Sequence, residues 1–221
     1  MPNHIHPASP LPSGDVVERY GALASSLVSD VFDRWSGTNI APVSGLAPGE
    51  VVAGPAFTCR TRPGDNLAVH KALDLARPGE ILLIEAGGAV DRAILGGLMG
   101  FYAKQQGVAA LVVDGAVRDK SDLDRLGPPV FARGLSQLGP YKDGPGELRC
   151  PVSIGGLVVA DGDLIVADED GITCVPRARM HEILELAEIK KADEEGQFAA
   201  IERGEWDRSW IDKVFQPVEV E

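Results

Sequence analysis

The sequence predicts an α/β fold in which a sheet of parallel strands packs against a second, hairpin-built sheet, with helices outside. Three observations predict it. Two short, wholly apolar runs, residues 81–84 and 109–113, flank a helical segment at about 96–106. Such strands are buried on both faces, and a strand–helix–strand unit implies parallel neighbours with a right-handed crossover. Beyond residue 150 the pattern changes to short apolar runs split by Gly155-Gly156, Asp161-Gly162-Asp163 and Asp168-Glu169-Asp170-Gly171, which are hairpin-type turns. A pure doubly wound sheet would not make that change.

In chain order, the first twelve residues carry four prolines and are expected as a loose or extended arm. His4 and His6 in that arm are too few ligands to fix a metal. Ser13 caps a helix from about Gly14, and Val16, Tyr20, Leu23, Leu27, Val31 and Phe32 follow at helical spacing, with Ser25-Ser26 dividing it in two. Gly37 ends it, and 38–54 is expected as a loop. Residues 57–62, FTCRTR, alternate as a strand. Asp65 or Asn66 caps the next helix, whose apolar side is Ala68, Ala72, Leu73, Leu75 and Ala76; His70 reads as a plain helix histidine. Ser121 caps a short helix after the 109–113 strand, 129–133 is a strand, and 135–150 is a glycine- and proline-rich loop. A charged helix over about 177–200 has a narrow apolar face of Ile183, Leu184, Leu186, Ala187 and Ile189. The end, WDRSWIDKVF, fits contact with another subunit as well as packing on its own domain.

With 221 residues and 44% hydrophobic content the chain can bury one sizeable core. The net charge of −12 repels nucleic acid and anionic membrane, so neither is expected as a partner, and any anionic substrate needs a local cationic pocket. Cys59, Cys150 and Cys174 stand far apart without a CxxC pair, the pattern of reduced thiols in an intracellular protein. No apolar run reaches the roughly 20 residues a membrane span needs, and the N-terminus lacks the order of a secretory signal.

Two stretches carry candidate chemistry. Glycines at 96, 97 and 100 open a helix after a strand, which leaves backbone N–H groups free for a carboxylate or phosphate. Neither the G-x-G-x-x-G spacing nor a G-K-[ST] ending is present, so this is no dinucleotide fingerprint or P-loop. The second stretch, LVVDGAVRDKSD at 111–122, ends an apolar strand in Arg118-Asp119, where α/β proteins place ligands. An arginine offers a fork for a carboxylate, and one aspartate suffices for Mg²⁺, which keeps several waters. Read alone, each is matched by a structural turn or a surface ion pair. The acidic turns at 161–163 and 168–170 lack the EF-hand loop.

Together, GPAFTCRTRPGDN, the Gly96-Gly97-Leu98 turn, GVAALVVDGAVRD, PVFARG and PVSIGGLVVADGDLIVADEDGI resemble the RraA-like family over about 23–204. That family includes the 4-hydroxy-4-methyl-2-oxoglutarate / 4-carboxy-4-hydroxy-2-oxoadipate aldolases. The resemblance implies an α-β-β-α sandwich of the swivelling-domain type, with an arm at 1–14, one domain at 15–205 and a tail at 206–221. It implies a homotrimer or homohexamer with its site between subunits, and the reduced cysteines place the protein in the cytoplasm. It implies Asp119 as ligand to Mg²⁺ (or Mn²⁺ or another divalent metal), Arg118 as catalytic and substrate-binding, and the amides of Gly96, Gly97, Leu98 and Met99 as holders of a carboxylate. Asp122 falls where a second acidic residue is frequent, and Glu194 or Glu195 is the nearest fit to a glutamate reaching a neighbouring site. Gly97 departs from the aldolases, many of which carry an acid there. The expected activity is a metal-dependent retro-aldol cleavage of a 4-hydroxy-2-oxo acid with release of pyruvate, or decarboxylation of oxaloacetate. The competing expectation is a non-catalytic regulator of a ribonuclease, the role of the family's namesake. No nucleoside-binding signature supports a methyltransferase.

Overall fold

The computed structural model describes residues 3–32, 34–38 and 40–215. The chain opens with a short strand β1 (His4–Ile5), helices α1 (Gly14–Tyr20) and α2 (Ser25–Val31), and strands β2 (Gly37–Thr38), β3 (Pro42–Ser44) and β4 (Val52–Thr61). Then follow α3 (Leu67–Leu75), β5 (Ile81–Glu85), β6 (Ala93–Leu95), α4 (Gly97–Gln105), β7 (Ala110–Val117), α5 (Lys120–Leu126) and β8 (Val130–Leu135). The second half holds β9 (Gly146–Leu148), β10 (Val152–Ile154), β11 (Leu157–Val159), β12 (Leu164–Asp168), β13 (Gly171–Val175), α6 (Met180–Glu202) and α7 (Ser209–Asp212).

Strand β4 belongs to two sheets. Its residues Ala56 to Arg60 pair in parallel with Ile81 to Glu85 of β5, and β7 and β8 continue that sheet in parallel. Its earlier residues, Val52 to Pro55, pair antiparallel with β12, which leads to β13 and the edge strand β2. The changeover falls between Pro55 and Ala56. A side chain at Gly54 would collide with the Gly79 carbonyl, and Pro55 can sit in a ladder only where no N–H is needed.

The period-2 pattern sorts the strands into three apolar layers. Ile81 and Leu83 of β5, Ala110 and Val112 of β7, and Ile165 and Ala167 of β12 fill the space between the sheets. Leu82, Ile84, Leu111 and Val113 face the opposite way, onto Val69 and Leu73 of α3, Ala103 of α4 and Leu123 of α5. On the far side, Leu164 and Val166 of β12 meet Tyr20 of α1, Val28 of α2, and Ile183 and Leu184 of α6. The result is the expected α-β-β-α sandwich. Each fully buried aliphatic side chain contributes about 1.5–3 kcal/mol to it.

Several local expectations change. The strand read at 57–62 begins five residues earlier, because its first half pairs in the second sheet. The loop read at 38–54 contains β3, antiparallel to β8. The helix expected from Ser121 starts at Lys120, so Ser121 lies inside it. The proline-rich arm is extended, as its composition requires, and it is tied down. β1 runs parallel to β9, and Ser9 donates from its N–H to Asp161 Oδ2 at 2.9 Å and from its hydroxyl to the Asp161 carbonyl at 2.7 Å. Asp161 in turn pairs with buried Arg149 at 3.0 Å. Cys59, Cys150 and Cys174 are free and buried. Trp206 and Trp210 of the tail are exposed, and its residues 216–221 lie outside those described. Among the described residues no helix is long and apolar enough to cross a membrane.

Candidate active site

The carboxyl ends of β6 and β7 lie side by side, with Leu95 paired to Val117. The two chain segments leaving those ends build the site. After β6 comes Gly96 and the N-terminus of α4; after β7 come Arg118, Asp119 and α5. The Arg118 N–H donates to the Leu95 carbonyl at 3.0 Å, which locks the junctions together. Asp119 has left-handed backbone, φ 55° and ψ 43°. Aspartate tolerates that region better than most residues, yet it still costs free energy, and such residues cluster at functional sites.

That conformation brings the Asp119 carboxylate back over α4. The Gly97 N–H donates to Asp119 Oδ2 at 3.2 Å. A Cβ at 96 would collide with the same oxygen, so any side chain there displaces the Asp119 carboxylate. Glycine at 97 is required by α5, because a Cβ would lie 2.6 Å from Asp122 Cβ. Gly100 admits the Leu123 side chain in the same way. The three glycines therefore let two helix N-termini approach closely, beyond leaving N–H groups free. Of the amides at 96–99 expected to hold a carboxylate, that of Gly97 is directed at Asp119. Those of Leu98 and Met99 lie in the first helical turn, where no intrahelical acceptor exists.

The Arg118 Nε lies 3.6 Å from Asp119 Oδ2, with both side chains nearly half exposed. Its guanidinium rests on Gly139, where a Cβ would approach Nη1 to 2.9 Å. The pair opens on a cavity of about 220 Å³, which Asn66, His70, Gly96, Met99, Arg118, Asp119, Pro140 and Lys142 help to line. The pair also lines a second hollow with Lys120, Leu135 and Gln137.

The sequence does not mark Asn66, His70 and Lys142 as site residues. In the sequence Asn66 reads as a cap and His70 as a plain helix histidine; the fold brings both to the cavity wall. Asn66 is the N-cap residue but its side chain makes no capping bond; the Oδ1 of Asp65, one position before it, accepts the Leu67 N–H at 2.9 Å. Asp65 Oδ2 accepts the N–H groups of Asp143 at 2.8 Å and Gly144 at 3.0 Å, which pins the 136–145 loop beside α3. Burial works against the Asp65 charge, but these three donors and Arg62 outweigh it and hold its pKa below the usual value. Partial burial and the nearby Lys142 charge lower the His70 pKa, with Asp74 opposing.

Asp122 pairs with Arg125 at 2.9 Å and does not line the cavity. Glu194 pairs with Lys190 on its own helix at 2.7 Å, and neither it nor Glu195 lines the cavity of its own chain. Among the described residues no three His, Cys, Asp or Glu side chains gather as a metal cage. The donor set instead fits a hard ion that keeps most of its waters: one carboxylate, fixed by a backbone N–H, facing an open cavity.

Comparison with known proteins shows the family. The family description RraA-like (Aldolase/RraA) matches residues 25–174. A Halalkalibacterium halodurans protein, provisionally named 4-hydroxy-4-methyl-2-oxoglutarate aldolase, is 36% identical over 92% of this chain and 97% of its own length. The 4-hydroxy-4-methyl-2-oxoglutarate aldolase of Thermus thermophilus is 35% identical over 51% of this chain and 68% of its own. The crystal structure of Streptomyces coelicolor RraAS2, described as an unusual member of the RNase ES inhibitor RraA protein family, superposes with a TM-score of 0.74. It is 28% identical, over 88% of this chain and 98% of that one. With that match across more than half its length and a sandwich of the same build, the chain belongs to the RraA-like family.

Proposed function

We propose that this protein is a divalent-metal-dependent lyase. It would cleave the C3–C4 bond of a 4-hydroxy-2-oxo acid with release of pyruvate, or decarboxylate oxaloacetate. One observation carries the reading. Asp119, held left-handed and bonded to the Gly97 N–H, sits beside Arg118 at the mouth of a cavity sized for a small molecule. The names of the Halalkalibacterium and Thermus relatives support the aldolase side.

In this reading Asp119 holds Mg²⁺, Mn²⁺ or another divalent ion, which when bound supplies Lewis-acid polarisation of the 2-oxo group. The Arg118 guanidinium has no ionic partner besides Asp119 among the described residues, so its fork is available for the substrate carboxylate and the developing enolate oxygen. The free first-turn amides of α4 add donors for the same charge.

The two reactions differ in what else they need. Retro-aldol cleavage must take a proton from the 4-hydroxyl, and position 97 offers no side chain for that. Decarboxylation of oxaloacetate releases CO₂ from C4 and needs only a proton delivered to C3. The residues of a single chain therefore meet the demands of decarboxylation more fully. A base for the aldol reaction would come from elsewhere, such as Glu194 or Glu195 of a neighbouring subunit in a homotrimer or homohexamer. We place this activity in a single cytoplasmic domain at 15–205.

The test is pyruvate release from oxaloacetate with and without Mg²⁺, using wild type and Asp119→Ala. Metal-dependent release lost in the variant is expected, and equal rates in both proteins refute the proposal. The Streptomyces relative's description favours one other reading, a regulator that binds a ribonuclease. Specific capture of a ribonuclease with no metal-dependent turnover would support that reading instead.

A further inference from the structure

We propose that the N-terminal arm is a releasable strap. Through β9 it holds the 136–145 loop against the start of α3, and whatever displaces the arm from β9 opens the cavity beside Arg118. This inference does not rest on the lyase reading.

Three observations point to it. The first is what the arm touches. β9 lies between two strands. On one side Cys59, Arg60 and Thr61 of β4 pair with Leu148, Glu147 and Gly146. On the other, β1 sets His4 against Glu147 and Ile5 against Leu148. Contacts beside β1 reinforce that second pairing. Asn3 Oδ1 accepts the Gly146 N–H at 2.8 Å. The His6 N–H donates to the Leu148 carbonyl at 3.0 Å, and the His6 ring meets Glu147 at 2.6 Å. Without the arm, β9 is an edge strand of only three residues.

The second is continuity with the cavity. β9 follows directly on the 136–145 loop, whose Pro140 and Lys142 line the cavity. Asn3 also closes on Gly144, where a Cβ would lie 3.0 Å from Asn3 Oδ1. The N–H groups of Asp143 and Gly144 donate in turn to Asp65, at the start of α3. The arm and Asp65 therefore grip one short stretch, 143–146, so a loss of one hold weakens the other.

The third is that the arm is separable from the body. No residue before Val16 belongs to the three apolar layers. Of residues 3–13, all but Ser9 and Pro12 are exposed. A hollow of about 300 Å³, which His4, Arg60, Arg62, Pro145 and Glu147 help to line, opens beside β1. The arm has its own second fastening at Ser9, which donates to Asp161 and accepts from Arg77 Nη2 at 3.1 Å. The β1 end can thus leave while Ser9 stays held. Segments bound only by exposed hydrogen bonds open at a small fraction of the global stability.

The test is made on the full chain. His6→Pro removes the N–H to Leu148 and the ring contact to Glu147 together. The pair Asn3→Ala and His6→Ala removes the side-chain contacts alone. Amide hydrogen exchange follows 143–146, and an NMR titration follows His70, assigned through His70→Gln. Burial and the Lys142 charge lower the His70 pKa, with Asp74 opposing, so it should rise when the loop withdraws. In both variants exchange at Asp143, Gly144 and Gly146 is expected to quicken at least about fivefold, the effect of one lost hydrogen bond. The His70 pKa should rise, and exchange in β12 and α6 should stay unchanged. Faster exchange at Gly146 alone, with His70 unshifted, overturns the strap, because the arm then covers β9 without reaching the cavity. Faster exchange throughout, with a lower Tm, overturns it as well, because the arm is then part of the body. Neither readout needs turnover, so both decide the strap whether or not the protein releases pyruvate.

Discussion

The Asp119 carboxylate lies where a side chain at Gly96 would have to be. The two residues are 23 positions apart, and the Asp119 oxygen that accepts the Gly97 N–H is the atom a Cβ at 96 would strike. Glycine at 96 therefore positions the proposed metal ligand by its absence of side chain.

Gly96→Ala tests that relationship. The added methyl forces Asp119 off the Gly97 N–H, and Arg118 Cγ stands only 3.0 Å from the new Cβ. Overpacking of this kind costs about 1–3 kcal/mol. Mg²⁺ affinity is expected to fall at least about tenfold, as when a supporting contact to a metal ligand is lost. Calorimetric Mg²⁺ titration beside thermal melts checks it, and unchanged affinity would show that Asp119 does not depend on the space at 96.

Gly97→Asp restores the acidic residue that many aldolases carry. Here it meets Asp122, whose Cβ would lie 2.6 Å from the new one and whose Oδ2 would lie 3.2 Å away. Steric overlap and like charge outweigh the roughly 1 kcal/mol that replacing a helical glycine returns. Gly97→Asp alone is expected to lower Tm. Adding Asp122→Gly should recover part of the loss, with a coupling energy above about 0.5 kcal/mol in a denaturation double-mutant cycle. Additive effects would show that the helices separate freely.

Asp65→Asn should loosen the 136–145 loop. The carboxylate accepts three backbone N–H groups and the Arg62 guanidinium. An amide offers one acceptor oxygen and turns an N–H₂ toward those donors, at a cost of about 2–4 kcal/mol. Faster amide exchange at Asp143 and Gly144 is the local readout. The pH dependence has a definite sign. The folded-state pKa of Asp65 is lowered, so its contribution is fully present above the unfolded value of about 3.9 and is lost as pH falls through the lower folded value. Wild type should lose stability through that acid window more steeply than Asp65→Asn. Parallel slopes would mean that Asp65 is not held ionised by the loop.

Arg118 and Asp119 stood out in the sequence because a charged pair follows directly on an apolar strand, and strand ends are where α/β folds present ligand groups. The glycine turn was legible for the same reason, as a helix start after a strand. The cavity's other wall was not. Asn66 and His70 look like ordinary positions of an amphipathic helix, and Lys142 sits in a loop without periodicity. Nothing in their local pattern marks them, since the contacts that bring them together run through Asp65 and Tyr141, tens of residues away from Arg118. The departure at Gly97 was visible as a missing acid. Its structural basis, the approach of Asp122, depends on the packing of α4 against α5.

The sequence by itself determined the layers. Strict alternation in β5, β7 and β12 puts successive side chains on opposite faces, so one buried strand commits the chain to apolar cover on both sides. Short-range periodicity carries that information within a few residues. Only the tertiary structure decided that β4 is shared by two sheets, that the proline-rich arm is fastened at Asp161, and that α3 and the 136–145 loop wall the cavity beside Arg118. Those outcomes depend on pairings between distant segments, which local pattern does not specify and which the packed core selects.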